Sequence, residues 1–314
     1  MLPGLAERLP VWARSPSEAR LWWTGAAKAI RRGSPFPSAS RVRPAPAPGG
    51  TVEELPRWGP LRRMFREQSC FVTSTHRLSV PDLERGIRVL HISDVHLRGP
   101  GHWLEKLCGV MQGLQPDLLL LTGDMVTGGW SPCAAERFVD SLPDAPLGRF
   151  HVTGNWETIF GAPPPGWFRL LEANGIVSLD NRRQDVGPLV LAGVEDLLAG
   201  DARLGAVLDE PVSKPLVLLA HTPVTIDKLV EQAAWRQRVS LVLSGHTHGG
   251  QVLIPGLGAP WLPKGSGPYL CGWFEVAGVP LFVSRGVGWS LLPLRMWCPP
   301  ELAMIELIPG SPGR

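Results

Sequence analysis

The chain has 314 residues, a mass of 34.1 kDa, 44% apolar and 19% charged residues, and a formal net charge of +3. These values exclude a disordered polyelectrolyte and a collagen-like chain, and no uninterrupted apolar stretch approaches the roughly 18 residues that a membrane-spanning helix needs. Cys70, Cys108, Cys133, Cys271 and Cys298 are odd in number and form no CxxC pair, so a reducing compartment is expected rather than a disulfide framework.

The small net charge is a cancellation between two unlike regions. Residues 1–70 carry 12 Lys and Arg against 5 Asp and Glu, a net +7, whereas residues 71–314 carry 19 against 23, a net −4. Residues 1–69 therefore read as a basic, Trp- and Pro-rich arm and linker, and residues 70–314 as the folded domain. Within the arm, Ser17 to Arg32 predicts a helix with Leu21, Trp22, Ala26 and Ile30 on one side and Arg20, Lys28, Arg31 and Arg32 elsewhere. Such a helix suits either an anionic membrane surface, engaged through residues 1–60, or packing on the body; Gly25 weakens it. Residues 33–60 hold seven prolines in 28 positions, the composition of a linker or extended strap. Gly33-Ser-Pro-Phe-Pro37 follows Arg31-Arg32 where a twin-arginine signal would need an apolar segment, and no cleavable signal is evident. A cytoplasmic protein is expected, with peripheral attachment at the inner membrane through the arm. No nucleic-acid motif accompanies the basic residues, so no nucleic-acid partner is expected.

From residue 70 onward one pattern recurs: a short β-type apolar run, then a polar turn. Arg88 to Ile92 leads into Ser93-Asp94-Val95-His96, and Leu118 to Leu121 into Thr122-Gly123-Asp124. Phe150 to Val152 leads into Thr153-Gly154-Asn155-Trp156-Glu157, Leu216 to Ala220 into His221, and Leu241 to Leu243 into Ser244-Gly245-His246-Thr247-His248. Runs of this kind read as strands buried on both faces, and their carboxyl ends are where open α/β sheets place ligands.

The turn residues share one chemistry. Asp94 and His96 are two apart, so in an extended segment both side chains leave on one face and grip one ion; His246 and His248 repeat the spacing. With Asp124, Asn155 and His221 they supply four imidazoles, two carboxylates and one amide oxygen, a set suited to Mn, Fe, Zn or Co and poorly suited to calcium. Seven ligands exceed what one ion takes while leaving room for substrate. Two divalent ions are implied, with one carboxylate between them, an arrangement that activates water against phosphorus.

In this order the blocks Asp94-Val95-His96, Gly123-Asp124, Gly154-Asn155-Trp156-Glu157, His221 and Gly245-His246-Thr247-His248 resemble those of the calcineurin-like metallophosphoesterase superfamily over residues 70–310. The stretches Ser244 to Gln251, Val283 to Gly288 and Leu294 to Glu301 resemble its YkuE/YaeI-like bacterial branch. The resemblance implies an α/β fold, a four-layer α/β/β/α sandwich with a dinuclear site at one end. It implies Asp94, His96 and His248 on one metal, Asn155, His221 and His246 on the other, and Asp124 bridging. It further implies hydrolysis of a phosphodiester or pyrophosphate by a metal-bridging hydroxide. Asp124, Asn155, His246 and Trp156 are the residues expected to carry the reaction.

One position departs from the family. Trp156 stands where the superfamily has a histidine that serves the leaving group, and an indole does not titrate usefully. In one reading hydrolysis persists for leaving groups that depart as anions, such as the phosphate of a pyrophosphate bond. Superfamily members that cleave UDP-2,3-diacylglucosamine in lipid A biosynthesis replace the same histidine by arginine, so a membrane-associated nucleotide-glycolipid is an expected substrate. In the other reading the chain is a catalytically weakened metal-binding scaffold acting through its arm. His76, His91 and His151 read as structural and His102 as a solvated loop residue. Arg285 and Arg295 read as phosphate ligands or, more in keeping with Gly-rich turns, as carboxylate partners or carbonyl caps. The 13 tryptophans read mainly as packing, with an apolar rim suited to lipid if several line the site.

Overall fold

A computed structural model describes residues 42–44, 66–158, 165–254 and 257–311. The expected arm helix, most of the proline-rich stretch and the proposed membrane-facing segment lie outside the described residues, apart from a three-residue strand at Val42–Pro44, here β1.

The remaining strands are β2 (Val72–Val80), β3 (Ile87–Ile92), β4 (Leu118–Thr122), β5 (Arg149–Val152), β6 (Ile176–Ser178), β7 (Arg182–Val186), β8 (Leu189–Gly193), β9 (Leu216–Leu219), β10 (Val239–Ser244), β11 (Gly272–Val276), β12 (Val279–Val283) and β13 (Glu301–Pro309). They form two sheets, one of seven strands in the order β1-β11-β12-β10-β9-β8-β7 and one of six in the order β2-β13-β3-β4-β5-β6. β3, β4, β5 and β6 run parallel in one sheet, and β8, β9, β10 and β12 run parallel in the other. β1 pairs antiparallel with β11 at the sheet edge, Val42 opposite Val276.

Strand periodicity decides the layers. In β4, Leu118 and Leu120 face one apolar cluster while Leu119 and Leu121 face another; in β9, Val217 and Leu219 are divided in the same way from Leu216 and Leu218. The cluster that holds Leu118, Leu120, Phe150, Val217, Leu219, Leu241 and Ile305 draws on both sheets and fills the space between them. Burying one such leucine contributes about 1.5–3 kcal/mol, so a charged residue at Leu120 would destroy this layer.

Helices cover the two outer faces. α1 (His102–Met111) buries Leu104, Leu107, Cys108 and Met111 at helical spacing, and α2 (Pro132–Asp140) starts at Ser131, whose hydroxyl accepts from the Ala134 N–H, with Pro132 in the first turn. α3 is the single turn Asn155–Thr158, and α4 spans Pro165–Ala173. Trp167 of α4 joins α1 and α2 on the outer face of the six-stranded sheet. α5 (Leu204–Leu208) and α6 (Thr225–Glu231) pack on the other sheet, with Trp235 of α7 (Ala233–Arg238) against them. The order helix, sheet, sheet, helix is the four-layer α/β/β/α sandwich expected from the sequence. His102 differs from expectation: it opens α1 as an exposed helical residue rather than sitting in a loop. None of the helices among the described residues is long and apolar enough to cross a membrane.

Candidate metal centre

The carboxyl ends of β3, β4 and β5 in one sheet and of β9 and β10 in the other converge at one end of the sandwich. The loops after β3 and β4 run side by side: Asp94 N–H donates to the Gly123 carbonyl at 3.0 Å, His96 N–H to the Asp124 carbonyl at 2.9 Å and Leu97 N–H to the Met125 carbonyl at 2.8 Å. Parallel pairing thus continues past the strand ends and holds the two ligand-bearing turns in register.

All seven sequence-predicted residues meet here. Asp94, His96 and His248 form one group able to hold a metal ion and Asp124, His221 and His246 another, with all six side chains buried. Asn155 Oδ1 lies 2.9 Å from His246 Nδ1 and 3.1 Å from His221 Nε2, so the amide oxygen belongs with the second group. Asp124 Oδ2 is 3.2 Å from His221 Nε2 and 3.7 Å from His96 Nε2, which puts it between the groups.

The route to this geometry differs from the extended segment expected for Asp94-X-His96. Asp94, His96, Asp124, His246 and His248 all have positive φ, between 50° and 71°, a left-handed conformation uncommon for residues with side chains. Five left-handed residues on three turns, rather than strand alternation, aim the ligands inward. Such backbone strain persists only where surrounding contacts hold it. Asn155 and Trp156 likewise open a helical turn instead of continuing a loop.

Proton placement makes the site a cation trap. His221 Nδ1–H donates to the Thr122 carbonyl at 2.7 Å, leaving Nε2 as the atom that faces Asp124 and Asn155. His246 Nε2–H donates to the Lys264 carbonyl at 2.7 Å, leaving Nδ1 facing the same centre, 3.3 Å from His221 Nε2. Two imidazole nitrogens, a carboxylate oxygen and an amide oxygen thus converge, and the proton that Asp124 keeps on His221 Nε2 is the one a cation would displace. In the other group, His96 Nε2 and His248 Nε2 are 3.0 Å apart and His248 Nε2 is 3.5 Å from Asp94 Oδ1. This donor chemistry fits two divalent cations, and carbonyls that fix histidine tautomers are a regular feature of metal ligands.

Burial pushes His96 down to about 3 and His246 to about 4, the latter helped by His221, and holds His248 well below its ordinary value. All three are neutral imidazoles, the ligand form. His221 goes the other way: burial would lower it, but the Asp124 carboxylate raises it well above its ordinary value. Asp124 itself is held at about 2, the charge of His221 overcoming the effect of burial, and burial raises Asp94 to about 6.

Several supporting residues were not assigned a role from the sequence. Glu157, buried, accepts the N–H groups of Asp124 and Gly154 on Oε2 at 2.9 and 3.0 Å and those of Met125 and Val126 on Oε1. It therefore ties the β4 and β5 loops together, while burial and the Asp124 charge push its carboxyl up to about 8 against those amides. Asp196, also buried, accepts the Thr222 hydroxyl beside His221 and the N–H groups of Leu198 and Ala199. Gly154 is required by close approach: a Cβ there would lie 2.3 Å from Asp124 Oδ1.

Trp156 donates its backbone N–H to Asp124 Oδ1 at 2.8 Å, and its half-buried indole meets the His96 ring. His76, His91 and His151 are buried and belong to neither ligand group, with His91 Nε2 2.7 Å from the hydroxyl of Thr122, the residue whose carbonyl holds His221. Arg285 pairs with Glu301 at 2.9 Å and Arg295 caps backbone carbonyls, so neither is a phosphate ligand in this arrangement.

A two-sheet α/β sandwich carrying paired His/Asp groups at its strand ends defines a metal-site protein of the phosphoesterase class. The calcineurin-like phosphoesterase pattern matches residues 87–250, just over half of the sequence, and the chain belongs to that family. An uncharacterized metallophosphoesterase of Aquifex aeolicus is 31% identical over 242 residues, covering 70% of this chain and 85% of that one. The phosphodiesterase YaeI of Escherichia coli is 29% identical over 266 residues, covering 78% and 91%. A transmembrane protein with a metallophosphoesterase domain from Danio rerio is 31% identical over 249 residues, covering 73% of this chain. The match takes in only 54% of that protein's length and 55% of its Bos taurus counterpart's.

Proposed function

We propose that residues 70–314 form a dinuclear metal-dependent phosphoesterase that cleaves a phosphodiester or pyrophosphate bond. The observation that carries this reading is the position of Asp124 Oδ2 between the two histidine groups, 3.2 Å from His221 and 3.7 Å from His96. Asp94, His96 and His248 would hold one divalent ion, Asn155, His221 and His246 the other, and Asp124 both. When bound, such a pair supplies Lewis acidity and a nucleophile from water at neutral pH. The name of the Escherichia coli relative, a phosphodiesterase, supports the reaction class.

The chain's own residues set the rest. Asp94 and Asp124 would offset the charge of the ions and the imidazoles would donate lone pairs, while Glu157 fixes the two loops from which Asp124 and Asn155 project. At Trp156 an indole offers a flat apolar face and a single N–H, and no proton that moves at neutral pH. The leaving group must then depart without protonation from this side, which favours a phosphate over an alkoxide. Leu198, 40% exposed, packs on Gly265 next to Lys264, whose carbonyl orients His246, so one exposed apolar side chain lies near the site. With the basic arm, these features favour a lipid-linked substrate, a nucleotide-glycolipid such as UDP-2,3-diacylglucosamine, reached at an anionic membrane through residues 1–60 of an otherwise cytoplasmic protein. The transmembrane context named for the vertebrate relatives is consistent with such a setting.

The test is turnover by the purified, Mn- or Co-loaded chain of bis-p-nitrophenyl phosphate and of a UDP-linked glycolipid. Hydrolysis of both, with preference for the pyrophosphate, is expected. Metal bound with no turnover of either would overturn the proposal.

A further inference from the structure

Arg295 is fully buried, yet among the described residues no carboxylate lies within 4.0 Å of its guanidinium. Its partners are backbone carbonyls and, at 3.8 Å from Nη1, the Cys298 sulfur. Nε–H donates to Gly288 at 2.8 Å; Nη2 donates to Gly288 at 2.6 Å, Arg285 at 2.9 Å and Gly286 at 3.1 Å; Nη1 donates to Cys298 at 3.0 Å. Burying a guanidinium with no carboxylate in contact is costly, and a neutral side chain would suffice to cap one or two carbonyls. What a guanidinium adds is five N–H donors in a rigid plane, enough to fix four residues of two chain segments at once.

Both segments lead to the same half of the metal centre. The loop after β12 turns its carbonyls to Arg295 and its amides to the Asp94 turn: Val287 N–H donates to the Ser93 carbonyl at 3.0 Å and Gly288 N–H to the Asp94 carbonyl at 2.7 Å. Gly286 lies against Asp94 so closely that a Cβ would be 2.7 Å from the Asp94 Cβ. Cys298, the other segment, donates its Sγ–H toward the His248 carbonyl at 3.2 Å. Arg98 holds the far end of the loop, its Nη2 donating to the Trp289 carbonyl at 3.2 Å and to that of Ser290, with the guanidinium 5.6 Å from the Trp289 ring centre. None of the hydrogen bonds of Arg295 reaches the turns that carry Asp124 or His221, and His246, on the same turn as His248, has its ring held separately by the Lys264 carbonyl.

We infer that Arg295 is a positioning residue for one metal site alone, holding the left-handed turns of Asp94 and His248 at the spacing one divalent cation requires. It acts from behind, through carbonyls, and touches neither the ion nor the substrate. The inference rests on the ligand reading above.

The test is Mn²⁺ stoichiometry and affinity of the full chain and its variants, measured by equilibrium titration with circular dichroism as the check on folding. Wild type should bind two ions. Arg295→Met should bind one at wild-type affinity and the second at least about tenfold more weakly, within the range of outer-shell changes at metal sites. Combined with His246→Gln it should bind essentially none tightly; combined with Asp94→Asn it should still bind one. Arg295→Lys, which keeps charge and three donors, should weaken the same site less, and it decides the matter if Arg295→Met does not fold. Two ions at wild-type affinity in the folded variants, or equal weakening of both sites, would overturn the inference. A wild-type chain that takes up no Mn²⁺ would instead overturn the ligand reading on which it rests.

Discussion

The Trp156 indole meets the His96 imidazole edge to face, ring centroids 5.6 Å apart and planes at 90°. The residue that departs from the family pattern is thus packed on a metal-ligand candidate, at the position from which a histidine would serve the leaving group. Trp156→His should raise turnover of alkyl phosphodiesters by about tenfold or more, toward the 10²–10⁴ of a positioned general acid. Turnover of pyrophosphate substrates should change little or fall. Steady-state kinetics on paired substrates with good and poor leaving groups checks this; equal effects on both would separate Trp156 from the leaving group.

Glu157 gathers four backbone N–H groups from the loops that carry Asp124 and Asn155. Glu157→Gln replaces one acceptor oxygen by an NH₂ group aimed at amide donors. It should cost about 1–3 kcal/mol of stability, seen as a lower Tm. Metal affinity should fall by roughly 10–100-fold although Glu157 is not a ligand candidate.

Burial lowers His91 and His151 from 6.5 to about 4 in the folded chain. Below pH 6.5 the unfolded chain takes up protons that the folded chain refuses, so stability is fully present above 6.5 and is lost as the pH falls toward 4. Each residue contributes on the order of 3 kcal/mol across that window. His91→Gln should flatten the fall of Tm between pH 6.5 and 4 relative to wild type. A profile parallel to wild type would show that His91 does not titrate as its burial requires.

The basic arm is tested by sedimentation with vesicles of anionic and of neutral lipid. The full chain should co-sediment with anionic vesicles at low salt and release as ionic strength rises, and deletion of residues 1–60 should abolish binding. Unchanged co-sedimentation of the deleted chain would remove the arm from the account.

The site was more legible in the sequence than the means of building it. Leu118 to Leu121 and Leu241 to Leu243 read as strands because both faces of the inner strands are buried, and the ligands follow those runs directly. The inward aim of Asp94 and His96 was not legible, because their positive φ depends on hydrogen bonds to a turn some thirty residues away in sequence, at Gly123 and Asp124. Glu157 stood in plain view in Gly154-Asn155-Trp156-Glu157, but its task is to bind amides from another loop, which no local pattern encodes. The sequence around Arg295 is compatible with a phosphate ligand, a carboxylate partner or a carbonyl cap; that its carbonyls belong to the segments behind Asp94 and His248 emerges only when β12 and β10 are brought side by side.

The central claim is that two cations share Asp124. Anomalous diffraction from crystals of the full chain grown with Mn²⁺ tests it most directly. Two peaks should flank Asp124 Oδ2 about 3.5–4 Å apart, one bounded by Asp94, His96 and His248 and the other by Asn155, His221 and His246. A single peak, or none at full Mn²⁺ load, would contradict the account.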